Sequence, residues 1–96
     1  MRIVTHPAAG RELDAALEWS RSVFGERAAA RLRRRFVQIG LLLMRQPSIG
    51  TVTAGQTRKL RLGKFPYSLV YRVSDDVITV LAVAHQSREP GYWQGR

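Results

Sequence analysis

The first half of the chain alternates apolar and polar residues with the spacing of two amphipathic helices. A short β-prone segment, Arg2–Thr5, comes first, and apolar residues then recur every three or four positions from Ala8 to about Phe24, which predicts a helix. Pro7 suits the first turn of this helix, and Gly25 suits its end. The same spacing from Glu26 to about Arg45 predicts a second helix. Two such helices joined at one glycine form an antiparallel hairpin.

The second half of the chain has the two-residue period of β-strands. After a predicted loop that ends at Gln56, basic and apolar residues alternate in Arg58–Leu62, which predicts a strand with one polar face. Tyr67–Val73 is rich in β-forming residues, and Val77–Ala84 is apolar at nearly every position, as expected of a central strand buried on both faces. Short turns join these three segments, so we predict an antiparallel meander. The tail, His85–Arg96, is mainly polar.

These elements predict an α+β fold with the order β-α-α-β-β-β, in which a helical hairpin packs on a small antiparallel sheet. A chain of 96 residues has room for one core, so residues 1–96 are expected to form a single domain. The hairpin covers one face of the sheet, and Lys59, Arg61 and the tail are expected to make the other face polar. Most aromatic residues are expected to pack between hairpin and sheet: Trp19, Phe24, Phe36, Phe65, Tyr67 and Tyr71.

Charge narrows the possible partners. The net charge is +9, and all 16 basic residues except Lys59 and Lys64 are arginines. A GC-rich genome would explain arginine in place of lysine, but it would not explain why no acidic residue occurs between Glu26 and Asp75. The positive electrostatic field of such a stretch attracts nucleic acid or an acidic protein. The distribution therefore favours a polyanionic partner.

Other classes of protein are disfavoured by what the sequence lacks. Without cysteine, the chain has no disulfide framework and no thiolate site or nucleophile. His6 and His85 are too few and too far apart for a zinc site, and His6 precedes a proline at a helix entry, which favours a structural role. No cofactor is expected. We see no signal peptide and no apolar run long enough to span a membrane, so we expect a cytoplasmic protein without a membrane partner.

Several segments, in the same order and spacing over almost the whole chain, resemble the RelE/ParE superfamily of toxins. They are HPAAGRELDAALEW, FGERAAARL, QPSIG, RKLRLGKFPYSLVYRV and VLAVAHQSREPGYW. The resemblance implies the toxin of a type II toxin–antitoxin pair, which stops growth when its antitoxin is degraded. It also implies an antitoxin whose flexible tail wraps the toxin, and operator DNA reached only through the antitoxin complex. The basic charge predicts that this tail is acidic, amphipathic and folded on binding.

The superfamily has two target classes, and the residues of this chain fit each in part. RelE-like members cut messenger RNA on the ribosome, whereas ParE-like members poison DNA gyrase. Metal-free RNA cleavage requires a base, cations around the phosphorane and an acid. The resemblance places Lys59 and Arg61, then Arg88, then Tyr92 at candidate catalytic positions. His85 is a further candidate for the base.

One departure from the nuclease pattern is Ser68, which stands where RelE-like enzymes carry a catalytic arginine. Arg72 has the same strand parity as Ser68 and would compensate if it reached the same place. A histidine that leaves the last strand with an arginine three residues later, as His85 and Arg88 do, is frequent in ParE-like endings.

Each candidate also has a plainer interpretation. His85 can cap the strand end, and Lys59 and Arg61 can be solvated residues of a half-buried strand. Tyr92 and Trp93 can stack on bases or pack across the core. Four further arginines, together with Trp93, are candidates for binding the antitoxin or another polyanion: Arg31, Arg34, Arg35 and Arg72. The plainer interpretation of these arginines is that they form a solvated surface.

Three functions therefore remain open. The interpretation we favour is gyrase inhibition of the ParE type, because a nuclease without one catalytic cation should lose about 10²–10³-fold in rate. The first alternative is a RelE-like, ribosome-dependent mRNA endonuclease. The second is a non-toxic, basic nucleic-acid-binding module.

Overall fold

The computed structural model describes residues 1–96 as two helices and a five-stranded sheet. The elements are β1 (Arg2–Thr5), α1 (Pro7–Phe24), α2 (Glu26–Arg45), β2 (Thr51–Thr53), β3 (Thr57–Arg61), β4 (Tyr67–Ser74) and β5 (Val77–His85), with a short 3₁₀ turn, Ala54–Gln56, between β2 and β3. The predicted α+β fold, with a helical hairpin against the sheet, is confirmed. The bounds of both helices lie within one residue of those predicted.

The hairpin is defined by the residues at its ends. His6 precedes α1, and its Nδ1 accepts a hydrogen bond of 3.0 Å from the backbone N–H of Ala8, so the histidine has the structural role expected of it. Gly25 separates the helices with φ +96° and ψ 176°, a conformation that is almost confined to glycine. Its N–H donates to the carbonyl oxygen of Arg21 and so ends α1. The turn between α1 and α2 is therefore this one residue.

The sheet has the strand order β1-β5-β4-β3-β2. Strands β3, β4 and β5 form the predicted antiparallel meander, while β1 pairs with β5 in parallel, which the sequence pattern did not indicate. Strand β5 is thus flanked on both sides, as its apolar composition requires. The segment predicted as a loop before Gln56 contains a strand, because β2 pairs with β3 from Thr51 opposite Lys59 to Thr53 opposite Thr57.

The core has two parts, one on each face of the sheet. The larger part lies between sheet and hairpin, and includes Leu17, Leu32, Leu43 and Tyr71. The Tyr71 hydroxyl donates to the Pro47 carbonyl oxygen at 2.7 Å and accepts from the Gly50 N–H at 2.9 Å, so its burial leaves no unpaired polar group.

The smaller part lies on the opposite face of the sheet, which was predicted to be uncovered and polar. Here Trp93, only 5% exposed, packs on Val70, Leu81, Ala82 and Ala84. A bulge at Leu81 breaks the register between β4 and β5 and turns two successive apolar side chains towards this face. The prediction was therefore wrong for the part of this face formed by β4 and β5, because the tail folds back and covers it.

The expectation of core packing also fails for two aromatic residues. Trp19 is 42% exposed and Phe24 is 68% exposed, and their rings meet edge to face at 5.6 Å on the outer side of α1. The buried stripe of α1 runs instead through Ala9, Ala16, Leu17 and Ser20. The other four aromatic residues pack in or against the larger core as predicted: Phe36, Phe65, Tyr67 and Tyr71.

Candidate functional site

The tail that covers the sheet is held by a charged clamp. Arg96 donates to both carboxylate oxygens of Glu12, at 2.9 and 3.1 Å, and to the Leu81 carbonyl oxygen at 2.9 Å. The Glu12 carboxylate also accepts the Val83 N–H at 3.0 Å. Burial raises the pKa of Glu12, but the hydrogen bonds from Arg96 and Val83 outweigh this, and the net shift is downwards. Glu12 is therefore a structural anchor between α1, β5 and the tail.

Beside the tail, β3 presents two free cations on the same face of the sheet. Lys59 pairs in register with Val70, and Arg61 with Ser68. Both side chains are exposed, and neither takes part in an ion pair. Arg61 makes one weak hydrogen bond, 3.3 Å to the Phe65 carbonyl oxygen.

Two clefts connect these cations with the end of β5. The smaller cleft, of about 120 Å³, is lined by Lys59, Ser68, His85 and Arg88 among others. The other, about 500 Å³ and open, is lined by both Lys59 and Arg61. The structure thus brings together most of the residues predicted for RNA cleavage, and they form a surface with unpaired positive charge.

His85, at the end of β5, is poorly arranged for the role of a base. Its Nδ1 accepts the Ser87 N–H at 3.0 Å and lies 2.7 Å from the Ser87 hydroxyl. Since a backbone N–H can only donate, the neutral imidazole must carry its proton on Nε2. The nitrogen that would accept a proton is therefore already engaged in a turn. This geometry favours the capping role that the sequence left open.

Tyr92 is also poorly placed for proton transfer. Its hydroxyl oxygen is buried and lies beside Glu12 without a partner in hydrogen-bond geometry. Burial, followed by the nearby Glu12 carboxylate, raises the pKa of Tyr92 to about 12. The phenol therefore stays protonated at neutral pH, and its oxygen has no surface that a substrate could contact. The geometry favours packing over catalysis at this position.

Arg88 is the candidate whose charge is most available. Its guanidinium carbon lies 3.9 Å from the centroid of the Tyr92 ring, a cation–π contact. The side chain is exposed and forms no ion pair.

Arg72 does not take the place of the missing arginine. It lies on the same face of the sheet as Ser68, but it lines a different cleft, of about 160 Å³, with Gln94 and Arg96. That cleft and the one lined by Ser68 have only Trp93 in common, so the indole stands between Arg72 and Ser68. Trp93 itself is only 5% exposed, which favours core packing over base stacking or antitoxin contact at this position.

A family comparison shows what kind of protein this is. The sequence model of the family described as ParE toxin of type II toxin-antitoxin system, parDE, matches residues 3–90. The chain belongs to this ParE toxin family. Its predicted membership of the RelE/ParE superfamily is confirmed, and it is a type II toxin with a cognate antitoxin as partner.

A solved structure agrees with this toxin family in fold. A chain of the chromosomal ParDE TA system from P. aeruginosa superposes with a TM-score of 0.77 at 22% identity, over 88% of this chain and 95% of that chain. At this sequence identity, the structural similarity supports a shared fold alone. Among curated proteins, no sequence matches the chain.

The three α2 arginines that were predicted to bind a polyanion are not equally exposed in this ParE-family toxin. Arg31 and Arg34 are exposed, whereas Arg35 is half-buried. Its Nε is buried without a partner and lies against Gly63 in the turn between β3 and β4. Of these three arginines, Arg31 and Arg34 therefore remain available to a polyanionic partner.

A second surface of the toxin is an apolar groove between α2 and the edge strand β1. The groove, of about 190 Å³, includes Ile3, Phe36, Val37, Leu41 and Met44. Val37 and Leu41 are 52% and 56% exposed, which is unusual for large apolar residues so close together. The sequence gives a signal for this groove: the last part of α2 has more apolar residues than a single buried face requires.

Neither the site nor the helices suggest a metal centre or a membrane anchor. No three His, Asp or Glu side chains are grouped so that they could hold a metal ion. Neither helix combines the length and apolar composition of a membrane span.

Proposed function

We propose that this toxin arrests growth by inhibiting DNA gyrase through protein–protein contact, without cutting RNA. The observation that carries the proposal is the incomplete catalytic set around Lys59 and Arg61. Ser68 supplies no cation, and Trp93 separates Arg72 from it. His85 uses its accepting nitrogen in a turn.

The missing groups contribute enough to the rate of RNA cleavage that their absence favours gyrase inhibition. A positioned acid or base contributes about 10²–10⁴-fold, and a transition-state donor about 10²–10³-fold. Without an accessible base at His85 or acid at Tyr92, only the cations Lys59, Arg61 and Arg88 remain. These suffice to bind an anion, but of the three only Lys59 is of a type that serves in acid–base steps.

We further propose that the antitoxin lies in the groove between α2 and β1. An amphipathic helix or strand would bury Val37 and Leu41 there, and the free edge of β1 offers backbone groups for pairing. Arg31 and Arg34, on the same helix, would meet acidic residues of the antitoxin. Operator DNA is then bound through the antitoxin complex.

A ribosome-dependent nuclease is the second candidate, and one observation favours it. Lys59, Arg61 and Arg88 are unpaired and line connected clefts on one face, which is the electrostatic arrangement that an RNA backbone requires.

The test compares both targets with purified components. The toxin is added to DNA gyrase and relaxed plasmid, and in parallel to translating ribosomes whose mRNA ends are mapped by primer extension. We expect inhibited supercoiling that the antitoxin relieves, and intact mRNA. Cleaved mRNA that becomes intact with the Lys59→Ala/Arg61→Ala variant would instead establish the nuclease. No effect in either assay would favour the non-toxic binding module.

A further inference from the structure

An aromatic pocket opens between α1, the end of β5 and the tail, and it shares His85 and Arg88 with the cleft beside Lys59. Its volume is about 310 Å³, at the small end of the range of ligand sites, about 300–1,000 Å³. We call it the α1–tail pocket. Its rim and walls include these residues: Ala15, Trp19, Tyr67, His85, Arg88 and Tyr92.

Four of the nine residues that line the α1–tail pocket carry aromatic rings. The indole of Trp19 is 42% exposed on one side, and the Tyr67 ring packs edge to face with His85 at 5.2 Å on another. Tyr92 closes the tail side under the guanidinium of Arg88. Such walls suit one large apolar side chain, because aromatic rings bury much area at low entropic cost.

The unpaired charge at the rim of the α1–tail pocket is the positive charge of Arg88. Arg88 forms no ion pair, and the one carboxylate that lines the pocket, Glu12, is already bound by Arg96. Neither Asp14 nor Glu18 of α1 lines the pocket. A guanidinium held on an aromatic ring is well oriented to receive a carboxylate.

The pocket is independent of the groove assigned to the antitoxin. No residue that lines the α1–tail pocket also lines the groove between α2 and β1. An apolar edge of α1 extends from the pocket towards the hairpin turn through Trp19 and the 53% exposed Val23. The toxin thus has a second apolar surface that an antitoxin in the groove need not cover.

From these features we infer that the α1–tail pocket docks an acidic segment of the protein that the toxin inhibits. The segment inserts one large apolar side chain between Trp19 and Tyr67 and places a neighbouring carboxylate on Arg88. The inference rests on the proposed function in one respect, which is that the docked partner is the toxin's target. The docking chemistry itself rests on the pocket alone.

A nucleotide is the competing ligand for the pocket, with its base between the rings and its phosphate on Arg88. The acidic peptide is favoured because the pocket is lined by apolar groups on most sides and offers a base few donors or acceptors. The hydroxyl of Tyr92 is buried, and Nδ1 of His85 is occupied by Ser87.

The first test is a titration of the isotope-labelled toxin followed by NMR. The probe is the blocked pentapeptide Gly-Glu-Phe-Glu-Gly, compared with Gly-Gln-Phe-Gln-Gly, Gly-Glu-Ser-Glu-Gly and adenosine monophosphate. We expect the acidic phenylalanine peptide to shift the indole signal of Trp19. Each altered peptide, and the Arg88→Gln variant, should weaken binding about three- to tenfold, as for a partly exposed charged or apolar contact. No shift at Trp19, or tighter binding of the nucleotide, would overturn the inference.

The second test asks whether the pocket serves the target. Trp19→Ala and Arg88→Gln are compared with Val52→Ala and Arg11→Gln, which replace exposed residues outside the pocket. Thermal unfolding verifies that all four variants fold. We expect the two pocket variants to lose about tenfold or more in inhibition of the target, as when an interface anchor is truncated. Neutralisation by the antitoxin and both control variants should be unchanged.

The outcomes separate this inference from the proposed function. If the parent toxin leaves gyrase active, the proposed function fails while the peptide titration still decides the docking chemistry. If the parent inhibits its target and the pocket variants do so equally well, the inference fails alone. Loss of antitoxin binding in Trp19→Ala and Arg88→Gln would also overturn it, since the pocket would then belong to the antitoxin.

Discussion

The clamp between Glu12 and Arg96 gives the clearest prediction about stability. In Arg96→Ala, the Glu12 carboxylate keeps its bond to the Val83 N–H but loses both guanidinium contacts, and the Leu81 carbonyl oxygen loses its donor. The side chains of Arg96 and Glu12 are 20% and 17% exposed, so the ion pair is neither fully buried nor at the open surface. Loss of one partner costs about 3–5 kcal/mol in a buried pair and about 0–1 kcal/mol in a surface pair. We therefore expect a loss of about 2 kcal/mol in the free energy of unfolding.

The loss should be visible in thermal unfolding followed by circular dichroism. A loss of this size lowers Tm by about 8–16 °C in a domain of this length. The matched control is Arg21→Ala, which removes an arginine whose carboxylate partners, Glu18 and Glu26, are exposed, and should cost clearly less than Arg96→Ala because solvent screens the pair. A double-mutant cycle with Glu12→Gln measures the coupling directly. If Arg96→Ala costs no more than Arg21→Ala, or if the coupling is below about 0.5 kcal/mol, the clamp does not hold the tail.

The same clamp predicts how stability depends on pH. The pKa of Glu12 lies below its ordinary value of 4.5 in the folded toxin, so the unfolded chain binds the proton first as the pH falls. The stabilisation is therefore complete above the ordinary pKa and is lost as the pH falls through the folded pKa. In Arg96→Ala this acid-side loss should shrink in unfolding curves recorded between pH 3 and pH 6, while an unchanged profile would contradict the assignment to Glu12.

Three further predictions concern the hairpin, the antitoxin groove and the tail. Gly25→Ala should cost about 1–3 kcal/mol in urea unfolding, because φ +96° is strained for alanine; an unchanged midpoint would refute the turn geometry. Leu41→Asp should weaken antitoxin binding at least tenfold in calorimetry with little change in Tm, because Leu41 is 56% exposed and a charge in an apolar interface is costly; full affinity would place the antitoxin elsewhere. Trp93→Ala should cost about 3–5 kcal/mol and expose the second face of the sheet to a hydrophobic dye; a parent-like Tm would contradict its burial.

Local patterns were enough to predict most elements of this fold. The helical spacing in α1 and α2, the break at Gly25 and the alternation in β3 depend on neighbouring residues, and each appeared where it was predicted. The exposed positions of Trp19 and Phe24 were missed because both fall at helical spacing beside the buried stripe. The packing of α1 against the sheet decides which of these positions is buried.

The sequence by itself determined the elements, the basic charge and membership of the toxin family. The tertiary structure alone decided which residues meet. Glu12 contacts Arg96 across 84 positions of the chain, and Trp93 lies between Ser68 and Arg72. The bulge at Leu81 sets which side chains the tail covers. The physical reason is that strand register and tail docking depend on packing between distant segments, which leaves no local periodicity, whereas helices, strands and charge are properties of residues close together in the chain.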